Sequence, residues 1–238
     1  MKSSRLRTAA YCLWIPLMGL QMGCVSMTDW SKATVQASAA ESTDLRFGMA
    51  RMIERNGSLS DAKTLYNEIL KSNPDHTDCL HRLGVVSIQL EQLDQAIEYL
   101  SAAAAHVDAS ADLLGDLGYA YFLAGDYDTS EKTLREAVAA APDNERLVNN
   151  LAIVVGYQGN EEESLALFRR VGTESESQSN MAFVLSGLGK YDAAKNRFHM
   201  ALQRDPELKQ AAKGLAEFYQ PPDGPTRKSQ APVIAMTQ

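Results

Sequence analysis

Between residues 43 and 219 the chain alternates apolar stripes of helical period with short polar turns. Within each stripe, apolar residues recur three and four positions apart, the spacing that places them on one face of an α-helix. Glycines and the tetrapeptides "NPDH", "APDN" and "DPEL" interrupt the stripes at regular intervals. The pattern predicts an all-α domain built from pairs of short amphipathic helices.

The interruptions repeat with a period of 34 residues, except for a last step of 30. If position 1 is the residue 31 places before each proline, the five repeats begin at Thr43, Thr77, Ala111, Glu145 and Ser175. Position 8 is always small, which lets two helices approach closely, and it is occupied by Ala50, Gly84, Gly118, Ala152 and Ala182. Position 7 is large and apolar throughout. The regularity predicts one structural unit used five times.

Position 15 falls where the first helix of each repeat should end. It is glycine in four repeats, at Gly57, Gly125, Gly159 and Gly189, and Glu91 is the exception. A residue that ends a helix with positive φ is least strained as glycine. We therefore expect the four glycines to be left-handed turn residues.

A 34-residue helix-turn-helix unit with these small and large positions resembles the tetratricopeptide repeat (TPR). The resemblance implies an all-α, right-handed TPR α-solenoid of five helix-turn-helix repeats over residues 43–219. The final segment, residues 207–219, is predicted to form a capping helix that covers repeat 5 with Ala212, Leu215 and Phe218. In such an array the first helix of each repeat, helix A, lines the concave surface.

The stretch "GYAYFLAGDY" concentrates aromatic rings in helix A of repeat 3. Tyr121 holds position 11, on the core face, whereas Tyr119 and Phe122 hold positions 9 and 12, which are predicted to face the concave groove. Apolar and amide residues continue this surface into repeats 4 and 5. The predicted partner-binding residues are Tyr119, Phe122, Leu123, Arg146, Asn149, Asn150, Ile153, Tyr157, Asn180 and Phe183.

Two alternatives to a partner-binding groove remain open. In a tightly wound solenoid, the rings pack against the neighbouring A helix instead of a ligand. The asparagines, for their part, serve equally well in helix capping or in hydrogen bonds between repeats.

Residues 1–23 are predicted to be a signal peptide, because three basic residues precede an apolar run too short to span a bilayer. The run ends at Gly23-Cys24 and resembles a bacterial lipoprotein signal, which implies lipidation of Cys24, although Gln21 stands where such signals usually carry leucine. An uncleaved membrane anchor and cleavage elsewhere are the alternatives. Residues 24–42 are expected to form a flexible tether, and residues 220–238 a disordered tail.

The cysteine count fits this interpretation. Cys12 would leave with the signal peptide and Cys24 would carry the lipid, so Cys79 would remain a free thiol. A disulfide between Cys24 and Cys79 is the alternative.

Charge and motif content exclude several function classes. The net charge of −7 disfavours nucleic-acid binding, and the scattered cysteines and four histidines predict no metal site. No hydrolase, metalloprotease or phosphate-loop motif is found, so we expect no enzyme activity, no cofactor and no small-molecule substrate. A carboxylate clamp is also disfavoured, because Asp116 would repel a ligand carboxylate despite Arg82, Arg146 and Asn150.

Over about residues 110–206 the chain further resembles the tight-adherence (Tad) pilus assembly TPR lipoproteins, on the residues Arg146, Asn150, Leu151, Ala152, Gly156, Gly159 and Asn180. The resemblance implies a non-enzymatic scaffold for protein or peptide partners in pilus or secretion-system assembly. It also implies a lipid-anchored, periplasm-facing location in a bacterial envelope, with the outer membrane favoured. An adaptor for peptidoglycan enzymes or proteases and a periplasmic chaperone-like holder are the alternatives.

Overall fold

The computed structural model describes residues 42–105 and 109–219, and within them it contains eleven α-helices and no strand. The predicted signal peptide, Cys24, almost all of the tether, and the tail after residue 219 lie outside the described residues. The helices follow one another in antiparallel pairs along the chain, so the predicted all-α TPR solenoid is confirmed.

In chain order the helices are α1 (residues 42–55), α2 (Leu59–Ser72), α3 (Thr77–Gln89), α4 (Leu93–Ala104), α5 (Ala111–Ala124), α6 (Tyr127–Ala140), α7 (Glu145–Tyr157), α8 (Glu161–Val171), α9 (Glu174–Gly187), α10 (Tyr191–Arg204) and α11 (Lys209–Ala216). A 3₁₀ turn at Glu217–Tyr219 ends the described chain. The odd-numbered helices α1 to α9 are the A helices of the five repeats, and α2 to α10 are the B helices. Helices α3, α5 and α7 begin at the predicted first residues of repeats 2, 3 and 4.

Small residues allow the two helices of each repeat to lie in contact. A methyl group added at Gly118 of α5 would lie 2.6 Å from Cγ of Leu134 in α6, so glycine is required there. Ala50, Ala152 and Ala182 hold the same position in other repeats and are each 0% exposed. The close packing of A on B thus depends on the absence of side-chain bulk.

The turns between A and B helices have the predicted conformation. Gly57, Gly125, Gly159 and Gly189 all have φ between 74° and 92°. Glu91, in the one repeat without glycine, has φ 58° and is the only described non-glycine residue with positive φ. The geometry of the repeat therefore overrides the preference of this residue.

The end of the solenoid differs in detail from the prediction. Helix α11 begins at Lys209, and its buried residues are Ala211 and Gly214. Ala212, which was predicted to cover repeat 5, is exposed instead, because the helix is rotated so that Gly214 approaches Phe198. Leu215 and Phe218 are partly buried against the same cluster, as expected.

The shortened junction between repeats 4 and 5 is tightly held. Thr173 caps α9 by accepting a hydrogen bond from the Glu176 amide, and the Glu176 side chain accepts one from the Thr173 amide in return. Arg169, near the end of α8, forms a two-pronged ion pair with Glu174 at 2.6 and 2.8 Å. That pair and a hydrogen bond from Gln178 lower the pKa of Glu174 to about 2. A changed superhelical rotation at this junction stays a prediction.

Candidate functional site

Four aromatic rings meet where α5 and α7 end and α6 begins. Phe122 lies edge-on to Tyr157, with ring centroids 4.9 Å apart, and contacts Tyr127 at 5.7 Å and Tyr119 at 6.2 Å. Tyr127 and Tyr157 are also in contact, at 5.6 Å. We call these four residues the aromatic cluster. The cluster joins the A helices of repeats 3 and 4. Much of the concentration of aromatic rings in "GYAYFLAGDY" therefore serves packing between repeats.

The prediction that Phe122 faces an open groove is wrong. Its side chain is 5% exposed, because it fills the wedge between α5, the start of α6 and the end of α7. Ile153 of α7 is likewise buried, at 2% exposed. Tyr121, which was assigned to the core, does pack against a core cluster but is only half-buried, so it is less buried than Phe122.

The remaining predicted groove rings are half-buried and keep part of their surface accessible. Tyr119 and Leu123 pack at the edge of the core between repeats 2 and 4. Tyr157 leans on the backbone of α9 at Gly187, and Phe183 meets Phe198 edge-on at 5.0 Å. Burial raises the pKa of the Tyr119 hydroxyl and, together with the neighbouring Tyr127, that of Tyr157. Both hydroxyls therefore remain neutral donors at physiological pH.

An ion-pair ladder runs across the N-terminal halves of α3, α5 and α7. Nε2 of His81 lies 2.8 Å from Asp116, and Arg146 reaches Asp116 at 2.6 Å and Asp112 at 2.8 Å. Burial would raise the pKa of Asp116, but the His81 hydrogen bond and the Arg146 charge outweigh it, and the pKa lies below its usual value. Arg146, a predicted partner-binding residue, is thus largely occupied within the protein.

A second arginine of the inner surface is also neutralised. Arg82 of α3 pairs with the buried Glu54 of α1, which accepts a further hydrogen bond of 2.7 Å from the Tyr66 hydroxyl. Neither Arg82 nor Arg146 therefore presents an unpaired guanidinium to a ligand carboxylate. This arrangement is a second reason, beyond the position of Asp116, to disfavour a carboxylate clamp.

The three predicted asparagines have different surroundings. Asn180 is 9% exposed, and its Oδ1 accepts a hydrogen bond of 3.1 Å from Gln210 of the capping helix, so it ties α9 to α11. Asn150 is 6% exposed. Asn149 is half-buried, and its Oδ1 is inaccessible and has no hydrogen-bond partner among the described residues. Of the three, Asn149 is therefore the one with a buried polar atom that has no partner among the described residues.

Ser179 of α9 repeats this observation one repeat later. It occupies position 5, as Asn149 does, and its hydroxyl is fully buried without a partner among the described residues. Leaving a buried polar group unpaired costs about 1–3 kcal/mol. Two of the four such atoms in the described residues thus lie at position 5 of consecutive A helices, and the other two are Nε of Arg51 and Oγ of Ser87.

Sequence reasoning missed Tyr127, Ser179 and the pairing of His81 with Asp116. Tyr127 begins a B helix, and the search for groove residues was confined to A helices. The ladder had a readable signal, because His81 and Asp116 stand at positions 5 and 6 of successive repeats, which neighbouring A helices bring side by side.

Cys79 is a free, fully buried thiol in α3 that donates a 3.2 Å hydrogen bond to the Tyr66 carbonyl. Burial and the nearby Asp78 raise its pKa to about 12. The thiol is therefore inert in the folded protein, which disfavours a disulfide with Cys24.

Two searches confined to residues 42–105 and 109–219 gave negative results. No group of three or more histidine, cysteine, aspartate or glutamate side chains there could hold a metal ion. No helix in those ranges is long and apolar enough to cross a membrane.

Comparison with known proteins gives one family. Two family models, each described as tetratricopeptide repeat, match residues 49–112 and 87–152. Among curated proteins, BBSome complex member BBS4 of Bos taurus is 31% identical over 106 residues, which are 44% of this chain. The chain spans only 20% of the length of that relative.

Solved structures show the same fold at low sequence identity. YrrB, described as a TPR protein with an unusual peptide-binding site, is 16% identical, with 71% of this chain and 89% of that chain aligned at a TM-score of 0.57. A tetratricopeptide repeat protein from Parabacteroides merdae is 13% identical, with 75% and 73% aligned at a TM-score of 0.60. The described residues therefore have the fold of a TPR α-solenoid, and within residues 49–152 the sequence matches tetratricopeptide repeats.

Proposed function

We propose that this protein is a non-enzymatic scaffold that binds an extended peptide segment of a partner along the inner surface of α5, α7 and α9. The observation that carries the proposal is the unpaired, buried Oδ1 of Asn149. A peptide backbone supplies N–H donors at regular spacing, and such a donor would satisfy this acceptor. The TPR fold itself is a protein-interaction scaffold.

The surroundings of Asn149 suit a peptide better than a small polar ligand. On one side, the half-buried rings of Tyr119 and Tyr157 offer apolar surface with neutral hydroxyls. On the other side lies Arg146, whose guanidinium is already paired with Asp112 and Asp116. It therefore contributes polar surface but no unpaired charge. A neutral, partly apolar peptide fits this combination.

The two inaccessible polar atoms, of Asn149 and Ser179, imply that binding requires a small adjustment. Access to either atom needs side-chain movement between α7 and α9, the A helices of repeats 4 and 5, which lie on either side of the shortened junction. Rotamer changes of this kind are common when a peptide binds. We therefore expect the side chains at this junction to change position when the partner binds.

The cellular setting that we propose is assembly of a pilus or secretion complex at the bacterial envelope. The resemblance of residues 110–206 to Tad pilus assembly lipoproteins and the signal-like sequence before Cys24 support it. Under this proposal, Cys24 is lipidated and holds the solenoid on the periplasmic side of a membrane, the outer one being favoured.

Replacement of the lipid-attachment residue tests that setting. We expect Cys24→Ala to abolish incorporation of labelled palmitate and to release the protein from the membrane fraction, because the thiol that carries the lipid is gone. Cys79→Ala is the matched control and should keep the label. Undiminished labelling of the Cys24 variant would remove the lipoprotein assignment.

Binding is tested with Asn149→Leu, which replaces the amide by an apolar group of similar volume. Because the lost acceptor has no partner in the free protein, we expect unchanged or slightly raised stability together with weaker peptide binding. Asn180→Leu is the control, since it breaks the bond with Gln210 and should destabilise the domain by about 1 kcal/mol.

A further inference from the structure

The solenoid stacks its repeats through one recurring surface. In the A helices of repeats 2 to 5, positions 3, 7 and 10 pack against the B helix of the preceding repeat, and every one of them is at most 7% exposed. In α3, for example, Cys79, Leu83 and Val86 pack on Tyr66 and Ile69 of α2. The corresponding residues later in the chain are Leu113, Leu117, Ala120, Leu147, Leu151, Val154, Ser177, Met181 and Val184.

In the first helix, no other element of residues 42–105 and 109–219 packs on the same surface, and it is exposed. Positions 3, 7 and 10 of repeat 1 are Leu45, Met49 and Met52, and their side chains are 68%, 48% and 55% exposed. They lie on one face of α1, at spacings of four and three residues. Nothing lies within 4 Å of a methyl group built on Gly48, which adjoins this stripe, so a partner backbone could approach closely there.

The opposite end of the solenoid is closed. Helix α11 covers α10 with Ala211 and Gly214, and it turns Lys209 and Lys213 toward solvent. Solenoids need a polar outer face at their ends for solubility. The apolar outer face of α1 is therefore an anomaly within this molecule, whereas the lysine-bearing face of α11 is not.

Unpaired positive charge borders the apolar stripe of α1. Arg46 and Arg55 are exposed, and neither forms an ion pair with another residue of the described ranges. On a helix with 3.6 residues per turn they lie roughly a quarter turn to either side of Leu45, Met49 and Met52. Asp44, also exposed, lies on the same edge as Arg55, so a helix that covers the stripe meets Arg46 on one side and both Arg55 and Asp44 on the other, a net positive charge.

We propose that the outer face of α1 is a docking site for an amphipathic helix of a partner protein, whose apolar stripe is flanked by carboxylates. The partner helix takes the place that a B helix occupies in front of every other A helix. The apolar stripe of α1 buries the apolar face of the partner helix. Arg46 and Arg55 favour partner helices that carry carboxylates beside that face.

The charges argue against a second copy of this chain as the occupant. Pairing α1 with α1 of another copy would bring four exposed arginines around one seam, against two carboxylates, the Asp44 of each copy. Stacking α11 of another copy on α1 would oppose Lys209 and Lys213 to Arg46 and Arg55. Both arrangements place like charges together, which disfavours self-association.

The test uses a peptide designed from the chain itself. A synthetic peptide with the sequence of α2, Leu59–Ser72, carries the apolar stripe that covers α3, and Lys63→Glu with Lys71→Glu makes its flanks acidic. We expect this peptide to bind the full chain in fluorescence anisotropy below about 1 mM. We expect binding at least tenfold weaker for the same peptide with Asp61→Lys and Glu68→Lys in place of the glutamate changes.

Protein variants separate the two contributions. Met49→Gln with Met52→Gln should weaken binding of the acidic peptide at least tenfold, while Met200→Gln, another exposed methionine, should leave it unchanged. Arg46→Glu with Arg55→Glu should reverse the preference between the two peptides. Equal binding of both peptides to wild type, or a sedimenting dimer that the methionine changes dissociate, would overturn the proposal.

Discussion

At the scale of single residues, Glu91 shows how strongly the repeat imposes its backbone geometry. It holds a φ of 58°, where the other four repeats have glycine with positive φ. The left-handed conformation costs an L-residue roughly 1–2 kcal/mol, whereas glycine adopts it freely but loses more entropy on folding. The repeat register identified this turn from its glycines, and the structure shows that the turn imposes the same conformation on the glutamate that replaces one of them.

Glu91→Gly should therefore stabilise the domain by about 0.5–1 kcal/mol. This figure is the backbone strain that glycine relieves, minus the conformational entropy that glycine adds to the unfolded chain. Chemical denaturation of wild type and variant measures the difference. Gly125→Ala is the reciprocal control: no atom lies within 4 Å of the added methyl group, so the expected loss of stability is conformational. A Glu91→Gly variant less stable than wild type would contradict this account.

At the scale of helices, the aromatic cluster shows where repeat positions stop being informative. Position numbers place Tyr121 and Phe122 on faces of α5, but the depth of burial depends on how α6 and α7 approach that helix. Phe122 ends 5% exposed, while Tyr121 is only half-buried. The sequence pattern gave the helices, turns and small contact positions, because these depend on local spacing. The packing of rings between repeats depends on winding, which local spacing does not determine.

Phe122→Ala should consequently behave as a core substitution, with a loss of about 3–5 kcal/mol in the free energy of unfolding, because it leaves a cavity between α5, α6 and α7. Thermal or urea unfolding monitored by circular dichroism measures this loss. Met200→Ala, on an exposed face of α10, should cost less than about 1 kcal/mol. If Phe122→Ala were as mild as the Met200 change, the aromatic cluster would not be part of the core.

At the scale of the whole solenoid, the ion-pair ladder links three repeats through Asp116. Its carboxylate has a lowered pKa in the folded protein, so the stability it contributes is present above its unfolded pKa of about 3.9 and is lost as pH falls through the folded value. The contribution of Asp116 should therefore be lost in acid, below about pH 4.

Asp116→Asn removes the titrating group, and unfolding experiments between neutral and acidic pH test its role. At neutral pH the variant should be about 1.5–3 kcal/mol less stable, and the difference from wild type should shrink as the pH falls below about 4. Asp112→Asn is the matched control, because that side chain is 65% exposed and its loss should cost less than about 1 kcal/mol. A difference for Asp116→Asn that stays constant with pH would contradict the assignment.

Within residues 42–105 and 109–219, two surfaces are candidates for partner binding: the inner surface around Asn149, and the exposed apolar face of α1. The first consists of polar atoms that packing leaves unpaired, and no sequence pattern identifies such atoms, because their partners come from several helices. Of the predicted groove residues, the structure buries Phe122, Ile153, Asn150 and Asn180 and leaves Tyr119, Leu123, Asn149, Tyr157 and Phe183 partly accessible. Partner binding by these accessible residues stays a prediction.

The central claim is that Asn149 binds a partner peptide, and the most direct test measures both peptide affinity and stability for one variant of this residue. A linear peptide is first selected on the wild-type chain from a random display library, and its Kd and the unfolding free energy are then measured for wild type and Asn149→Leu. The account predicts at least tenfold weaker binding with stability equal to or above that of wild type. Unchanged affinity, or a stability loss like that of Asn180→Leu, would show that Asn149 serves the fold and not a partner.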